Sequence, residues 1–262
     1  VDIAGEYLLM DTTPLDVYAM DPHSLRWAGV QLTVAMDWYS RCIVGLRLTP
    51  FSTKAVDAAA VLYQAFRPVK AGRDWPEDAV WPPHGMPRSV LVDIDSLDPA
   101  SAFAAHPAVV PETLVIDGGK IFIGEHLTSA CRRLGISIQP ARVRVAHDKG
   151  PVERFFKSVR QGFLQELEGY KGPDVYSRGV SPEQDAFYFL DELEALLREW
   201  VAVVYHRRPH DGLGEAGLWS LRLSPAQMFE HGIARAGYIE VPRDPCLAYH
   251  LTSDTLGGFS RR

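Results

Sequence analysis

The chain has 262 residues, 47% hydrophobic and 23% charged, with a formal net charge of −6. That is enough for one large domain, or one domain with an extension, around a sizeable core. Its sequence holds no apolar span long enough to cross a bilayer, and its acidic total argues against a chain-wide nucleic-acid surface.

In chain order, EYLLMD reads as a short strand ending on Asp11, and TPLDVYAM continues it past Pro14 as a bulge or edge segment. Asp21-Pro22-His23-Ser24 is a turn. LRWAGVQLTVAM and CIVGLRL read as two more strands joined by DWYSR, with Asp37 as a turn-capping residue. This makes an antiparallel three-stranded unit. A helix follows, capped by Ser52 or Thr53, with Val56, Ala59, Leu62, Tyr63 and Phe66 at helical spacing and Pro68 ending it. Residues 68–112 are an irregular insertion rich in proline and acids, with RSVLVDID as a strand inside it and Trp75 and Trp81 as anchors. Trp27, Trp38 and Trp200 read as packing residues.

Order resumes at ETLVID, a strand ending on Asp117, followed by a Gly118-Gly119 turn that lacks the spacing of a nucleotide-binding fingerprint. EHLTSACRRLG is a helix stopped by Gly135, and ISIQ is a strand, which together suggest a parallel α/β unit. After a basic loop at 140–150, Gly150 takes the N-cap, Pro151 the first and Glu153 the third position of a helix. Val152, Phe155, Phe156, Val159 and Phe163 form its apolar stripe. Glu153, Lys157 and Arg160 lie on a different face. Beyond a linker, residues 183–205 read as a long helix, and Ser224 caps a last helix begun by Pro225. His206 and His210, split by Pro209, are not a zinc pair; with Arg207 and Arg208 they dock this tail on the core or touch DNA.

Three further features bound the reading. The opening VDIAGEYLLMD is not a signal peptide, and Val1 in place of a methionine suggests a piece of a longer chain. Cys42, Cys131 and Cys246 show no metal-binding spacing and are expected to be free, buried thiols in a reducing compartment. Residues 142–161 hold Arg142, Arg144, Lys149, Arg154, Lys157 and Arg160 against Asp148 and Glu153, a local basic footprint on an acidic chain.

Asp11 and Asp117 end predicted strands, where function collects in α/β sheets. If the polar face of the Glu153 helix looks across those strand ends, three carboxylates converge. Hard divalent cations need such oxygen ligands, and two ions about 3.5–4 Å apart can activate an attacking hydroxyl and stabilise a leaving oxygen. The bland alternative makes the aspartates turn residues and Glu153 a favourable charge near a helix N-terminus. Asp16 competes with Asp11, but its odd spacing sends it to the other sheet face unless Pro14 marks a bulge. Asp93 competes with Asp117 but has no glycine turn after it.

The blocks MDTTPLD, VIDGGKIF and DKGPVERFF, with thirty-five residues between Asp117 and Glu153, resemble the DDE superfamily of transposases and retroviral integrases. VAMDWYSRCIVGLRL and YHRRPHDGLG followed by LSPAQMF are similar to the bacterial branch related to the Mu transposase. The likeness runs over residues 5–240. It implies an RNase H-like α/β fold: a central mixed five-stranded sheet with helices on both faces, plus a mostly helical C-terminal extension. Residues 1–168 would be the catalytic core, with the insertion at 68–112, and residues 169–262 a linker and helical extension. Asp11, Asp117 and Glu153 would hold two Mg²⁺ or Mn²⁺ ions for nicking at the 3′ ends of a mobile element and strand transfer into target DNA. His147, Lys149, Lys157 and Arg160 would contact DNA. Partners would be double-stranded DNA, further copies of the chain and an accessory ATPase or targeting protein, in the bacterial cytoplasm. The pattern departs at Gly118, where the family has Asn, and in the 105 residues between Asp11 and Asp117. A nuclease without strand transfer, and a DNA-binding or assembly module without chemistry, are the alternative readings.

Overall fold

The computed structural model describes residues 2–88, 102–116, 125–141, 146–167, 170, 187–211, 213, 222–237 and 247. The first apolar segment is one long strand, β1 (Tyr7–Met20). β2 (Trp27–Asp37) pairs with it antiparallel, and β3 (Ile43–Pro50) pairs antiparallel with β2. On the other side of β1, β4 (Thr113–Ile116) is parallel to it, and β5 (Ser137–Pro140) is parallel to β4. The order β3-β2-β1-β4-β5 is the mixed five-stranded sheet of an RNase H-like fold. Pro14 sits opposite Gln31 in the β1–β2 pairing. The bulge falls just after it, between Leu15 and Tyr18.

Strand alternation sends Leu8 and Met10 to one face and Leu9, Leu15 and Val17 to the other. The first face is closed by α1 (Ala55–Phe66) and α2 (Glu125–Arg133). Gly45 lets α1 approach closely, since a Cβ there would sit 2.4 Å from the Val61 carbonyl oxygen. The second face is closed by α3 (Ala146–Gly162) and α4 (Leu190–Trp200). The expected stripe of Val152, Phe155, Phe156, Val159 and Phe163 is buried there in full.

Three boundaries differ from the sequence reading. Lys54, not Ser52 or Thr53, is the N-cap of α1, and its N–H donates to Asp57 Oδ2 at 2.9 Å. The Thr53 hydroxyl is already engaged with Thr33 and Thr49, at 3.1 and 3.2 Å. α3 begins at Ala146, so Pro151 lies inside it and Glu153 is about two turns in, not at the third position. A proline near a helix start forfeits a single backbone bond, which the buried stripe outweighs. α4 begins only at Leu190. Before it, Met20 N–H donates to Tyr188 O at 3.0 Å and Phe189 bridges Met20, so pairing with β1 overrides helix propensity there.

The insertion earns its length by packing. Trp81 is buried, bridges Ala104 and meets Phe229 edge-on at 5.6 Å, tying the insertion to α5 (Pro225–Ala236). The strand expected at RSVLVDID lies outside the described residues beyond Arg88. Ser224 caps α5 as expected, its Oγ accepting from Gln227 N at 3.3 Å. Cys42 and Cys131 are free and buried. Trp27 departs from the packing expectation, being 37% exposed. No helix among the described residues is long and apolar enough to cross a membrane.

The C-terminal extension, together with α1, seals the sheet edge at β3. Leu48 N–H donates to Glu194 Oε2 at 2.8 Å, Leu46 N–H to Gln64 Oε1 at 3.0 Å, and Ile43 N–H to His206 Nε2 at 2.9 Å. Arg198 Nη2 donates to Leu46 O at 2.6 Å and to Glu194 Oε1 at 2.7 Å. Side chains thus occupy groups that an edge strand would otherwise offer to another chain.

Candidate functional site

Two acids at strand positions have different environments. Asp37, at the end of β2, is wholly buried and accepts from Gly5 N–H (2.8 Å), Ser40 N–H (2.9 Å) and Ser40 Oγ (2.5 Å). Burial raises its carboxyl above the usual range, against the lowering effect of those bonds. It is the turn-builder expected from DWYSR. Asp11 is half-buried, and its Oδ1 accepts from Thr12 N–H at 2.8 Å. By alternation it shares the sheet face of Leu9 and Leu15, the face that α3 covers.

α3 lies on β1 in a definite direction. Arg160 Nη2 donates to Thr13 Oγ1 at 3.1 Å, and Arg160 Nε is 3.6 Å from Asp16 Oδ2, an ion pair longer than a hydrogen bond. Beyond α3, Tyr170 bridges Val17. The C-terminal end of α3 therefore points toward the later part of β1, and the end carrying Glu153 toward Asp11. Glu153 and Lys157 are exposed. Asp16, weighed as a rival to Asp11, is the partner of Arg160.

Among the described residues β1 and β4 pair from Tyr7↔Thr113 to Met10↔Ile116, and the residues that follow Met10 and Ile116 in sequence are Asp11 and Asp117. Asp117, Gly118, Asp93 and Asp95 lie outside the described residues. His147 and Lys149 fall in the first turn of α3, and their side chains are outside the described set. Among the described residues, which exclude Asp117, no group of three His, Cys, Asp or Glu side chains is placed to hold a metal ion. The donor set Asp11, Asp117 and Glu153, all carboxylate oxygens, fits a hard divalent cation.

The other flank of α3 carries a feature that the sequence reading did not assemble. Arg154 and Ser158 there, with Lys157 and Gln161, line an open cavity of about 460 Å³ with Arg41, Tyr205 and His210. Arg41 stands at φ 66°, left-handed for a residue with a side chain, and its Nη1 is buried without a hydrogen-bond partner among the described residues. Burial first, and then the charge of Arg154, lower its pKa. The signal in the sequence was the basic run at 142–161; its meeting with Arg41 is tertiary.

A sheet of this order is that of the RNase H-like fold, and the family that the chain matches belongs to the DDE transposase and integrase superfamily. Residues 9–105 and 102–169 match the TnsB C-terminal domain family, over more than half of the chain, and the chain belongs to that family. It is 26% identical over 207 residues to the transposase for transposon Tn552 of Staphylococcus aureus, covering 78% of this chain and 34% of that protein. The chain thus spans about a third of that relative's length. Among solved structures, the catalytic core domain of BIV integrase is similar at 12% identity and a TM-score of 0.46, covering 88% of this chain and 97% of that one. A chain of the simian T-cell lymphotropic virus intasome in complex with PP2A regulatory subunit B56 gamma is similar at 13% identity and a TM-score of 0.47, covering 87% of this chain and 55% of that one. Both structural likenesses are loose.

Proposed function

We propose that the chain is the catalytic core of a DDE-type DNA transposase, of the branch related to the Mu transposase. It nicks the 3′ ends of a mobile element and joins them to target DNA by in-line phosphoryl transfer. Asp11, Asp117 and Glu153 are the proposed ligands of two Mg²⁺ or Mn²⁺ ions, which when bound supply charge neutralisation at the attacking and leaving oxygens. What supports the reading is the β1–β4 register over the described residues, Tyr7↔Thr113 to Met10↔Ile116, which Asp11 and Asp117 follow directly in sequence, with the contacts of Arg160 and Tyr170 setting the direction of α3 along the sheet face it covers.

In this mechanism Asp11, on β1, and Asp117, which follows β4 directly in sequence, would supply ligand oxygens. Glu153 closes the site from a helix whose position is set by Phe155 and Phe156. Lys157, with His147, Lys149 and Arg160, holds backbone phosphates and so orients the scissile bond. Arg160 would have to exchange its contact with Asp16 for a phosphate. The partners proposed are double-stranded DNA, further copies of the chain on paired ends, and an accessory ATPase or targeting protein, in a bacterial cytoplasm. Residues 1–168, with the insertion at 68–112, are the proposed catalytic unit, and residues 169–262 its linker and helical extension.

The test is a strand-transfer assay with full-length protein, element-end DNA and Mn²⁺. Asp11→Asn and Glu153→Gln should each abolish joining while leaving the melting temperature nearly unchanged, as for exposed or half-buried sites (within about 0.5 kcal/mol). Strand transfer that survives in folded Glu153→Gln overturns the assignment. Cleavage without joining in the wild type would mark a nuclease. No chemistry, with DNA still bound, would mark an assembly module and point to Gly118.

A further inference from the structure

We propose that the cavity between α3 and the tail is a phosphate-binding site for a nucleic-acid backbone, separate from the three-acid site. This rests on the nucleic-acid reading above for its ligand, but on Arg41 and Arg154, which that reading does not use; Lys157 lies between the two sites. Glu153 and Arg160 take one flank of α3; Arg154 and Ser158 take the other, and the cavity opens there.

The cavity has the parts that an oxyanion needs. Arg41 contributes a buried Nη1 that has no hydrogen-bond partner among the described residues. A buried, unpaired guanidinium nitrogen is costly, and it is held where it is by a turn that leaves it little choice. Arg41 N–H donates to Asp37 O at 2.8 Å, Asp37 N–H to Cys42 O at 2.9 Å, and Tyr205 Oη to Arg41 O at 3.3 Å. The left-handed backbone of Arg41 is thus fixed on both sides, and strain of this kind collects where a side chain must be presented.

Along the cavity wall positive charge predominates, although the buried Asp37 of the same turn also acts on Arg41. Arg154 and Lys157 line the same cavity, as does half-buried His210, whose ring packs edge-on against Tyr205 at 4.8 Å. Asp211 is the acid of the lining, and it is paired outward with Arg222 at 3.3 Å. Two arginines brought together inside a chain of net charge −6 repel one another until an anion lies between them. Guanidinium forks match phosphate oxygens in a bidentate way, and Ser158 and Gln161 supply neutral donors at the rim. Tyr205, stacked among Phe155, Trp200 and His210, forms an apolar wall that excludes water from one side.

The experiment measures duplex DNA binding by fluorescence anisotropy with the full chain in EDTA, so that no metal engages the carboxylates. Salt is varied, and wild type is compared with Arg154→Gln, Arg41→Gln and the double variant. Each single variant should bind about tenfold more weakly and lower the slope of log K against log salt by about 1, the signature of one lost phosphate contact. The double variant should add little to either single, because both arginines serve one phosphate. An unchanged slope in folded Arg154→Gln overturns the proposal. Because Arg41 sits in a strained turn, its variant counts only if its melting temperature is kept; otherwise exposed Arg154 decides alone. Inorganic phosphate that raises the melting temperature of wild type but not of Arg154→Gln, with the DNA slope unchanged, would assign the cavity to a free anion and overturn the backbone assignment. Loss of joining in Glu153→Gln is read in a separate assay, so either reading can fail without the other.

Discussion

The two edges of the sheet are protected by different means. At β3 the edge is long, eight residues, and side chains from α1, α4 and the segment after α4 cover it. At β5 the edge is four residues, mostly exposed, and ends at Pro140. A short strand closed by proline offers little to another chain, so it needs no cover. The β3 edge would be a pairing hazard without α4. α4 therefore occupies edge groups of β3 that would otherwise be open to pairing, although it comes about 140 residues after β3 in sequence.

The strongest way to break this comparison is to remove the cover. A chain ending at residue 168 keeps all five strands but loses Glu194, Arg198 and His206. We expect it to aggregate or to expose β3 for pairing, as read by light scattering and by hydrogen exchange at Leu46 and Leu48. A monomeric, well-folded 1–168 fragment would show that the β3 edge needs no cover and that 168 is a true folding boundary.

Arg198→Ala tests the same edge at one residue. It removes a nearly buried guanidinium (10% exposed) that bonds Leu46 O, Gln64 Oε1 and Glu194 Oε1, leaving the acid and the carbonyl without it. Breaking such a pair costs about 3 kcal/mol or more, which denaturant unfolding would measure. A loss under about 1 kcal/mol would class this as an ordinary surface pair.

His206 gives the edge a pH dependence. Burial lowers its pKa to about 3, and burial does the same to His106, also to about 3. Both are neutral in the fold, while in the unfolded chain each binds a proton near pH 6.5. The unfolded state therefore holds more protons between pH 6.5 and 3. Stability is full above that window and falls as the pH drops through it, by up to about 1.4 kcal/mol per pH unit for each histidine. His206→Gln keeps an acceptor for Ile43 N–H and should reduce that acid slope, to which His106, His210 and His84, also lowered by burial, still contribute. A slope unchanged by the substitution would mean that His206 is not the group that titrates.

Much of this was legible in the sequence. The α3 stripe, the turn role of Asp37, the Ser224 cap and the antiparallel opening unit follow from short-range pattern, and the structure has them. The edge seal was not legible. Its bonds join residues 146, 152 and 163 positions apart, and no local period encodes such a pairing. The start of α4 was misread for the same reason: Tyr188 and Phe189 pair with Met20, and a helical pattern cannot announce a distant strand end. At the candidate site, Asp11 and Glu153 stood out because acids beside apolar runs are conspicuous. The Arg41 cavity did not, because its two arginines come from a turn and a helix more than a hundred residues apart.

The smallest expected effect lies at the other edge and completes the contrast. Gln139 is exposed on β5, with no helix sealing its edge among the described residues. Gln139→Lys adds a charge to a short outer strand, a substitution that edge strands commonly carry. It should shift stability by no more than about 0.5 kcal/mol. The comparable change at β3, Leu48→Lys, would push a buried side chain into solvent and drag its N–H from Glu194, costing several kcal/mol by the burial lost, about 2 kcal/mol, and the bond to a charged group, about 2 kcal/mol. If urea unfolding finds the two lysines equally harmful, β5 is covered in solution by a further part of the protein, and the sheet has no open edge.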